Sequence, residues 1–309
     1  MKKLRIGLVD LDTSHPGSWL PVIRELGHEV IGVFDGGTVY PAGYAQEFAT
    51  KHEIATVFHS LAEMADAVDL AIIHSCNWDL HVERAKAFVT AGKGVFIDKP
   101  MVGNLRDMNQ VLAWQQQGAQ ISGGSSLRYV KSIQAFRASL EPGEEIRFVY
   151  SGTGVDEFNY GIHAYSTAQG ILGSGICWVR HLDGRTQHQV EIAWESGARA
   201  ILTIGGTTNW LPFWAIVITD RRVVHLAIDS NQLYRDMLEV ALPYYAGAAP
   251  APAPLTELLE CEKAALAAKA SWQGNGAIIC LNDLGFNNPS YDGAAFGESY
   301  RLEKLTPTS

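Results

Sequence analysis

Val95-Phe96-Ile97-Asp98-Lys99-Pro100 is the stretch on which the reading of the chain turns. Gly92, Gly94 and Pro100 bound an apolar run rich in β-branched and aromatic residues, the pattern of a central parallel strand covered on both faces by helices. A lysine placed directly after such a strand falls at the carboxyl end of the sheet, where open α/β folds bind their ligands. The same alternation extends to both sides. Strands are expected over residues 4–9, 29–34, 56–58, 69–74, 95–97 and 120–122, and helices over 18–26, 40–51, 60–67, 79–90 and 105–117. Ser18 is the expected N-cap of the first helix, with Pro21 in its first turn and Gly27 as its stop. Alternation at this spacing gives βαβ units with right-handed crossovers. Residues 1–122 therefore read as an α/β domain with a doubly wound, Rossmann-like parallel sheet, of a size usual for one domain.

After residue 122 the rhythm changes. Six strand-like segments, over 145–152, 177–182, 189–194, 200–204, 213–219 and 223–228, follow closely with turn signals such as Asp183-Gly184 and Ser196-Gly197 between them. Close spacing of this kind belongs to antiparallel sheets. Helices are expected over 160–172, 232–245 and 254–271, the last two joined by a short Ala/Pro loop. Residues 123–309 thus read as an α+β domain with a large, mostly antiparallel sheet.

Charge and composition narrow the function. Lys+Arg 24 against Asp+Glu 33 leaves a net charge of −9, and no basic run interrupts it. Nucleic acid and anionic membrane surfaces are excluded as expected partners. No apolar run approaches the roughly 18 residues of a spanning helix. Met1-Lys2-Lys3-Leu4-Arg5 leads straight into a strand rather than a signal sequence, so a cytoplasmic location is expected. Cys76, Cys177, Cys261 and Cys280 show no metal-ligand or redox spacing and read as reduced thiols.

Three motifs carry a resemblance. Ala91-Gly92-Lys93-Gly94-Val95-Phe96-Ile97-Asp98-Lys99-Pro100 matches an Ala-Gly-Lys-x-Val-x-x-Glu-Lys-Pro pattern with Asp98 in place of Glu. Asn77 and His81 match an Asn-x-x-x-His, and Asn159-Tyr160-Gly161-Ile162-His163 matches an Asp-x-Gly-x-His. Over nearly its whole length the chain resembles the Gfo/Idh/MocA oxidoreductases, in a branch marked by an Asp-Thr-Ser-His start. The resemblance implies an NAD(P)-dependent oxidoreductase acting on a hydroxyl or carbonyl of a sugar, polyol or related small molecule. It implies that Lys99 and His163 meet in a cleft between the domains and move the hydroxyl proton, chemistry that suits a lysine of lowered pKa or a histidine near neutrality. It also implies a C-terminal domain that holds substrate and self-associates, as a homodimer or homotetramer.

The departures bear on the cofactor. Where a Gly-x-Gly-x-x-Gly turn would cradle the pyrophosphate, the chain has Asp10-Leu11-Asp12-Thr13-Ser14-His15. Two carboxylates then face a dianion, a repulsion of several kcal/mol at close range on the order of 332/(εr). Asp12, Thr13, Ser14 and His15 are accordingly expected to hold the cofactor by an altered route, with Asn77, Trp78 and His81 bordering it. Asp35, at the end of the second strand, is placed either to hold the adenosine ribose, which favours NAD over NADP, or to form a turn before Gly36-Gly37. Arg128 and Tyr129 are expected to border the substrate, with an ion pair as the structural reading of Arg128. Asn159 can bond a sugar hydroxyl but cannot balance an imidazolium at His163. Trp78 either stacks on a ligand or packs in the core.

The lost glycines open a second class. Asp10, Asp12, His15, His74 and His81 come from the ends of the first and fourth strands and could gather a divalent metal, giving a non-redox lyase, hydratase or isomerase. A ligand sensor on the same scaffold is the third reading. No metal is assigned on the first reading.

Overall fold

A six-stranded parallel sheet organises the first of two structural units. The computed structural model describes residues 2–306. The strands are β1 (Arg5–Val9), β2 (Glu29–Phe34), β3 (Thr56–Val57), β4 (Leu70–Ile73), β5 (Gly94–Ile97) and β6 (Ile121–Gly123). The linking helices are α1 (His15–Glu25), α2 (Tyr44–Lys51), α3 (Leu61–Ala67), α4 (His81–Thr90) and α5 (Leu105–Gln116). The spatial order is β3-β2-β1-β4-β5-β6, with every pairing parallel. Strand order therefore reverses between β1 and β4, and the carboxyl ends beside that reversal are the place for a ligand. β4 and β5 are buried at every residue. Their uninterrupted apolar runs follow from having helices on both faces.

Local chemistry sets some boundaries. Ser60 Oγ accepts from the Glu63 amide at 3.1 Å and opens α3. Asn104 Oδ1 accepts from the Asp107 amide at 2.9 Å and opens α5. The first helix departs from the sequence reading. It begins at His15 with Ser14 at the N-cap, so Pro16 occupies the first turn and Pro21 falls inside the helix. An interior proline costs about 3 kcal/mol, but Trp19, Leu20 and Ile23 bury the helix face, at roughly 1.5–3 kcal/mol each.

The second unit comprises Ser125–Met237 and Leu259–Tyr291. Along the chain follow α6 (Lys131–Ala138), β7 (Ile146–Thr153), α7 (Gly161–Leu172), β8 (Ile176–Leu182), β9 (His188–Trp194), β10 (Arg199–Ile204), β11 (Trp214–Thr219) and β12 (Val223–Ala227). Then come α8 (Leu233–Tyr245), α9 (Leu255–Leu258), α10 (Glu260–Gln273), β13 (Ile279–Cys280) and α11 (Gly293–Leu305). The second sheet has seven strands in the order β12-β11-β7-β10-β9-β8-β13. All its pairings are antiparallel except β7 with β10. α7 is buried from Gly161 through Ile171, polar His163, Ser166, Thr167 and Gln169 included.

The chain returns to the first unit with Leu238–Leu258 and again from Asp292 onward. Tyr245 Oη donates to the Val95 carbonyl at 2.7 Å. Gly94 makes room for that ring, because a Cβ there would stand 2.6 Å from Tyr245 Cδ1. Asp79 Oδ2 accepts from the Gly293 and Ala294 amides at 2.8 and 3.1 Å and so caps α11. Residues 131–138 and 293–305, given no element in the sequence reading, are helical, and the helix expected over 254–271 is divided at Leu259.

Candidate active site

At the carboxyl end of β1 three acidic side chains converge, each with a different fate. Asp10 takes a φ of 59°, a conformation glycine usually fills. Its side chain is fully met: Oδ1 accepts from the Gly36 amide at 2.8 Å, and Oδ2 from Arg84 Nε at 3.1 Å and from Ser75 Oγ. Asp12 is wholly buried; Oδ2 accepts from the Cys76 amide at 2.9 Å, and Oδ1 has no donor. Burial first, then the charge of Asp10, pushes the Asp12 carboxyl up to about 7 against the Cys76 bond. Asp35 Oδ1 accepts weakly from the Leu11 and Gly37 amides at 3.4 and 3.3 Å, and burial raises this carboxyl too. Arg84, which sequence reasoning passed over, is the cation paired with Asp10.

The turn into α1 spends its donors internally. The His15 amide donates to Thr13 Oγ1 at 3.2 Å, Pro16 has no N–H, and the Ser14 side chain makes no cap bond. A glycine-rich turn would leave those amides for a phosphate.

The ends of β4 and β5 carry a second cluster. Asp98 is buried, and its Oδ2 receives His15 Nδ1 at 2.5 Å and His74 Nδ1 at 3.1 Å. Its Oδ1 accepts from the Lys99 amide at 2.7 Å. Burial alone would raise this carboxyl; the charge of His15 and the bonds from both imidazoles outweigh it and hold it well below the usual carboxylate range. His74 is pushed the other way by burial, below the ordinary imidazole value, with Asp98 opposing. The His15 ring stacks on Trp19 at 5.6 Å and 17°, which fixes its plane. Lys99 follows in a half-buried turn before Pro100.

Several residues expected at the ligand are also tied into the fold. His81 is wholly buried with Nδ1 against the Met101 carbonyl at 3.0 Å and Nε2 against the Ser75 carbonyl at 2.8 Å, so both ring nitrogens serve the backbone. Trp78 is buried against Phe296, ring centroids 5.0 Å apart, and takes the core reading. Asn77 Oδ1 accepts from the Asp79 amide at 3.0 Å as the cap of a short turn ahead of α4. The acid and imidazole set offered for a metal is also rearranged: among the described residues His15, His74 and Asp98 come together, with ligand atoms within 4.8 Å. Asp10, Asp12 and His81 are bonded elsewhere. The sequence mark of Asp98 was its departure from Glu in the Lys-Pro motif.

In the second unit, His163 lies near the start of α7 and is almost wholly buried. Its Nδ1 is 2.7 Å from Ser125 Oγ, and its ring meets Phe213 edge-on at 5.2 Å. Arg128 donates to Gln169 Oε1 at 2.5 Å, and Gln169 Nε2 donates to Glu260 Oε2 at 2.7 Å, so the three lie in one network. Tyr129 and Asn159 are both buried.

Comparison with known proteins shows what part of the chain is similar to. The Gfo/Idh/MocA model, described as an oxidoreductase family with an NAD-binding Rossmann fold, matches residues 17–123. That match opens just past the Asp10 to His15 turn. A protein assigned as the oxidoreductase subunit of UDP-kanosamine synthase in Amycolatopsis mediterranei is 33% identical over 150 residues, 48% of this chain and 40% of that relative. The scyllo-inositol 2-dehydrogenase (NADP+) of Bacillus subtilis is 39% identical over 71 residues, 22% of this chain and 21% of that relative. The chain thus spans less than half the length of these relatives. The fold is shared with scyllo-inositol dehydrogenase from Lactobacillus casei, solved with NAD(H) and scyllo-inositol: TM-score 0.74, 15% identity, 91% of this chain and 100% of that one.

Proposed function

We propose that this chain is an NAD(P)-dependent oxidoreductase of a sugar-like or polyol substrate, a reading supported by the match of residues 17–123 to the Gfo/Idh/MocA oxidoreductase model. The observation that carries the reading is Lys99 at the carboxyl end of β5, its amide fixed by Asp98 at 2.7 Å beside the strand reversal. The two named relatives, one for a nucleotide sugar and one for an inositol, support the substrate class.

The residues present fit a dinucleotide in altered form. Asp35 at the end of β2 is half-buried and oriented by two amides, as a ribose-binding carboxylate requires, and favours NAD. The unpartnered Oδ1 of Asp12 marks a buried polar atom that still needs a partner. In its protonated form Asp12 offers an O–H where the usual turn offers a glycine amide. Thr13, Ser14 and His15 complete that turn, and Asn77 borders it. The nicotinamide, when bound, supplies hydride transfer. Lys99 holds the substrate oxygen and takes or returns its proton; an ammonium there also stabilises charge on that oxygen. His163, with Ser125 on its Nδ1, is the second proton-handling group. Arg128, Tyr129 and Asn159 bind substrate. The accompanying proposal is a cytoplasmic homodimer or homotetramer, supported by exposed apolar residues on the second sheet, Ile218 at 39% and Val223 at 57%. Among the described residues no helix is long and apolar enough to cross a membrane.

One observation favours a second reading, a non-redox lyase, hydratase or isomerase: all three glycine positions of the turn hold Asp10, Asp12 and His15. Calorimetric titration with NAD, NADP and their reduced forms, with elemental analysis of the same sample, separates the two. Micromolar binding of a dinucleotide supports the oxidoreductase, whereas no binding together with stoichiometric metal leaves the second reading.

A further inference from the structure

From the His15, Asp98 and His74 geometry we infer that His15 is a tautomer-locked proton acceptor, a general base oriented by Asp98 that removes a proton from an O–H or activated C–H of a bound ligand. This assignment stands whether or not a dinucleotide binds. Asp98 Oδ2 can only accept, so both imidazoles turned toward it donate from Nδ1, His15 at 2.5 Å and His74 at 3.1 Å. With the Lys99 amide on Oδ1 at 2.7 Å, the carboxylate has donors on both oxygens. In neutral His15 the proton on Nδ1 leaves the lone pair on Nε2, and Asp98 is placed to stabilise the imidazolium formed when Nε2 takes a proton.

The two histidines are not equivalent. The His74 side chain is 0% exposed and that of His15 14%. His74 therefore serves as an internal tether, and His15 is the end of the cluster that a ligand can approach. Stacking on Trp19 holds the ring plane, the second constraint that a positioned base needs. In the step itself the substrate O–H or C–H bond breaks, its electron pair stays on the substrate atom, and the proton forms the new N–H on Nε2. Asp98 is the positioning residue and remains ionised.

The competing arrangement is a divalent metal on the same three atoms, which lie within 4.8 Å of one another. It would require both Nδ1 atoms to be unprotonated, so tautomer state decides between them. The experiment is a long-range ¹H–¹⁵N correlation on ¹⁵N-histidine-labelled protein, with His15→Gln to assign the signal, beside elemental analysis. Expected is protonated Nδ1 and acceptor Nε2 at His15, with no stoichiometric metal. Asp98→Asn should release the lock, moving His15 toward the Nε2–H form and slowing its acylation by diethyl pyrocarbonate at least about tenfold. Asp98→Glu should restore part of that rate. An Nε2–H tautomer in the native protein, stoichiometric metal, or acylation unchanged in Asp98→Asn overturns the assignment. Should Asp98→Asn fail to fold, the native tautomer alone decides.

Discussion

Asp12 takes the Cys76 amide on one carboxylate oxygen at 2.9 Å and nothing on the other. This half-satisfied acid, pushed from 3.8 up to about 7 by burial and by Asp10, sets a pH dependence of stability. Below about pH 4 folded and unfolded chains both hold the proton. As pH rises from there to about 7 the unfolded chain releases it first, so stability falls, by up to roughly 4 kcal/mol, and levels off above. Asp12→Asn removes this slope. Its urea midpoint is expected above that of the native protein at pH 8 and equal to it near pH 4.

Asp98 has the opposite sign. Its folded-state carboxyl lies well below 3.8, so its contribution is present above about pH 4 and is lost as pH falls toward the folded value. Asp98→Asn is expected to cost about 3 kcal/mol at pH 7 by breaking a buried, charge-assisted set of bonds. The same comparison at pH 3 should show a smaller difference. Equal losses at both pH values would contradict the ionised state assigned to Asp98.

Lys99→Ala should separate chemistry from folding. Turnover is expected to fall about 10²–10⁴-fold on a substrate identified by polyol and sugar screening, while a cooperative unfolding transition is retained. Full activity in Lys99→Ala would end the assignment of that residue as the proton-transfer group.

Gly123 tests the sheet rather than the site. Its φ is 158°, and a Cβ there would collide with the Ile97 carbonyl across the β5–β6 pairing. Gly123→Ala is expected to lower stability by about 2–4 kcal/mol in a chemical denaturation curve. A loss under 1 kcal/mol would mean that β6 can shift at little cost.

The doubly wound sheet was legible because fully buried strands such as Leu70–Ile73 and Gly94–Ile97 write an unbroken apolar run between helices. Helix starts were legible where a cap was local, as at Ser60, and misread where it was not. At α1 the N-cap Ser14 makes no side-chain bond, so the more usual-looking Ser18 drew the boundary. α11 was missed although its N-cap is local, Asp292 Oδ1 accepting from the Ala295 amide at 2.8 Å, because its two fully buried residues, Gly293 and Gly297, give it no apolar stripe to read. In the site, Lys99 stood out through its motif, but Asp98 read as a conservative variant of Glu. Only the fold brings His15 from the β1 turn and His74 from β4 to the same carboxylate oxygen. Asn77 and His81 matched a pattern in sequence, which says nothing of the bonds they also make within the chain, Asn77 to the Asp79 amide and His81 to two carbonyls.

Tyr245 on the Val95 carbonyl also bears on how the protein is made. During synthesis on the ribosome the six strands of the first sheet emerge within the first 124 residues, yet the ring that seals β5 and the helix capped by Asp79 come from Leu238–Leu258 and from beyond Asp292. A nascent chain stopped after the last strand leaves the space beside Gly94 open and the Val95 carbonyl without its Tyr245 bond. The unit begun first is finished last, and a gene fragment cut at its apparent boundary encodes an incomplete one.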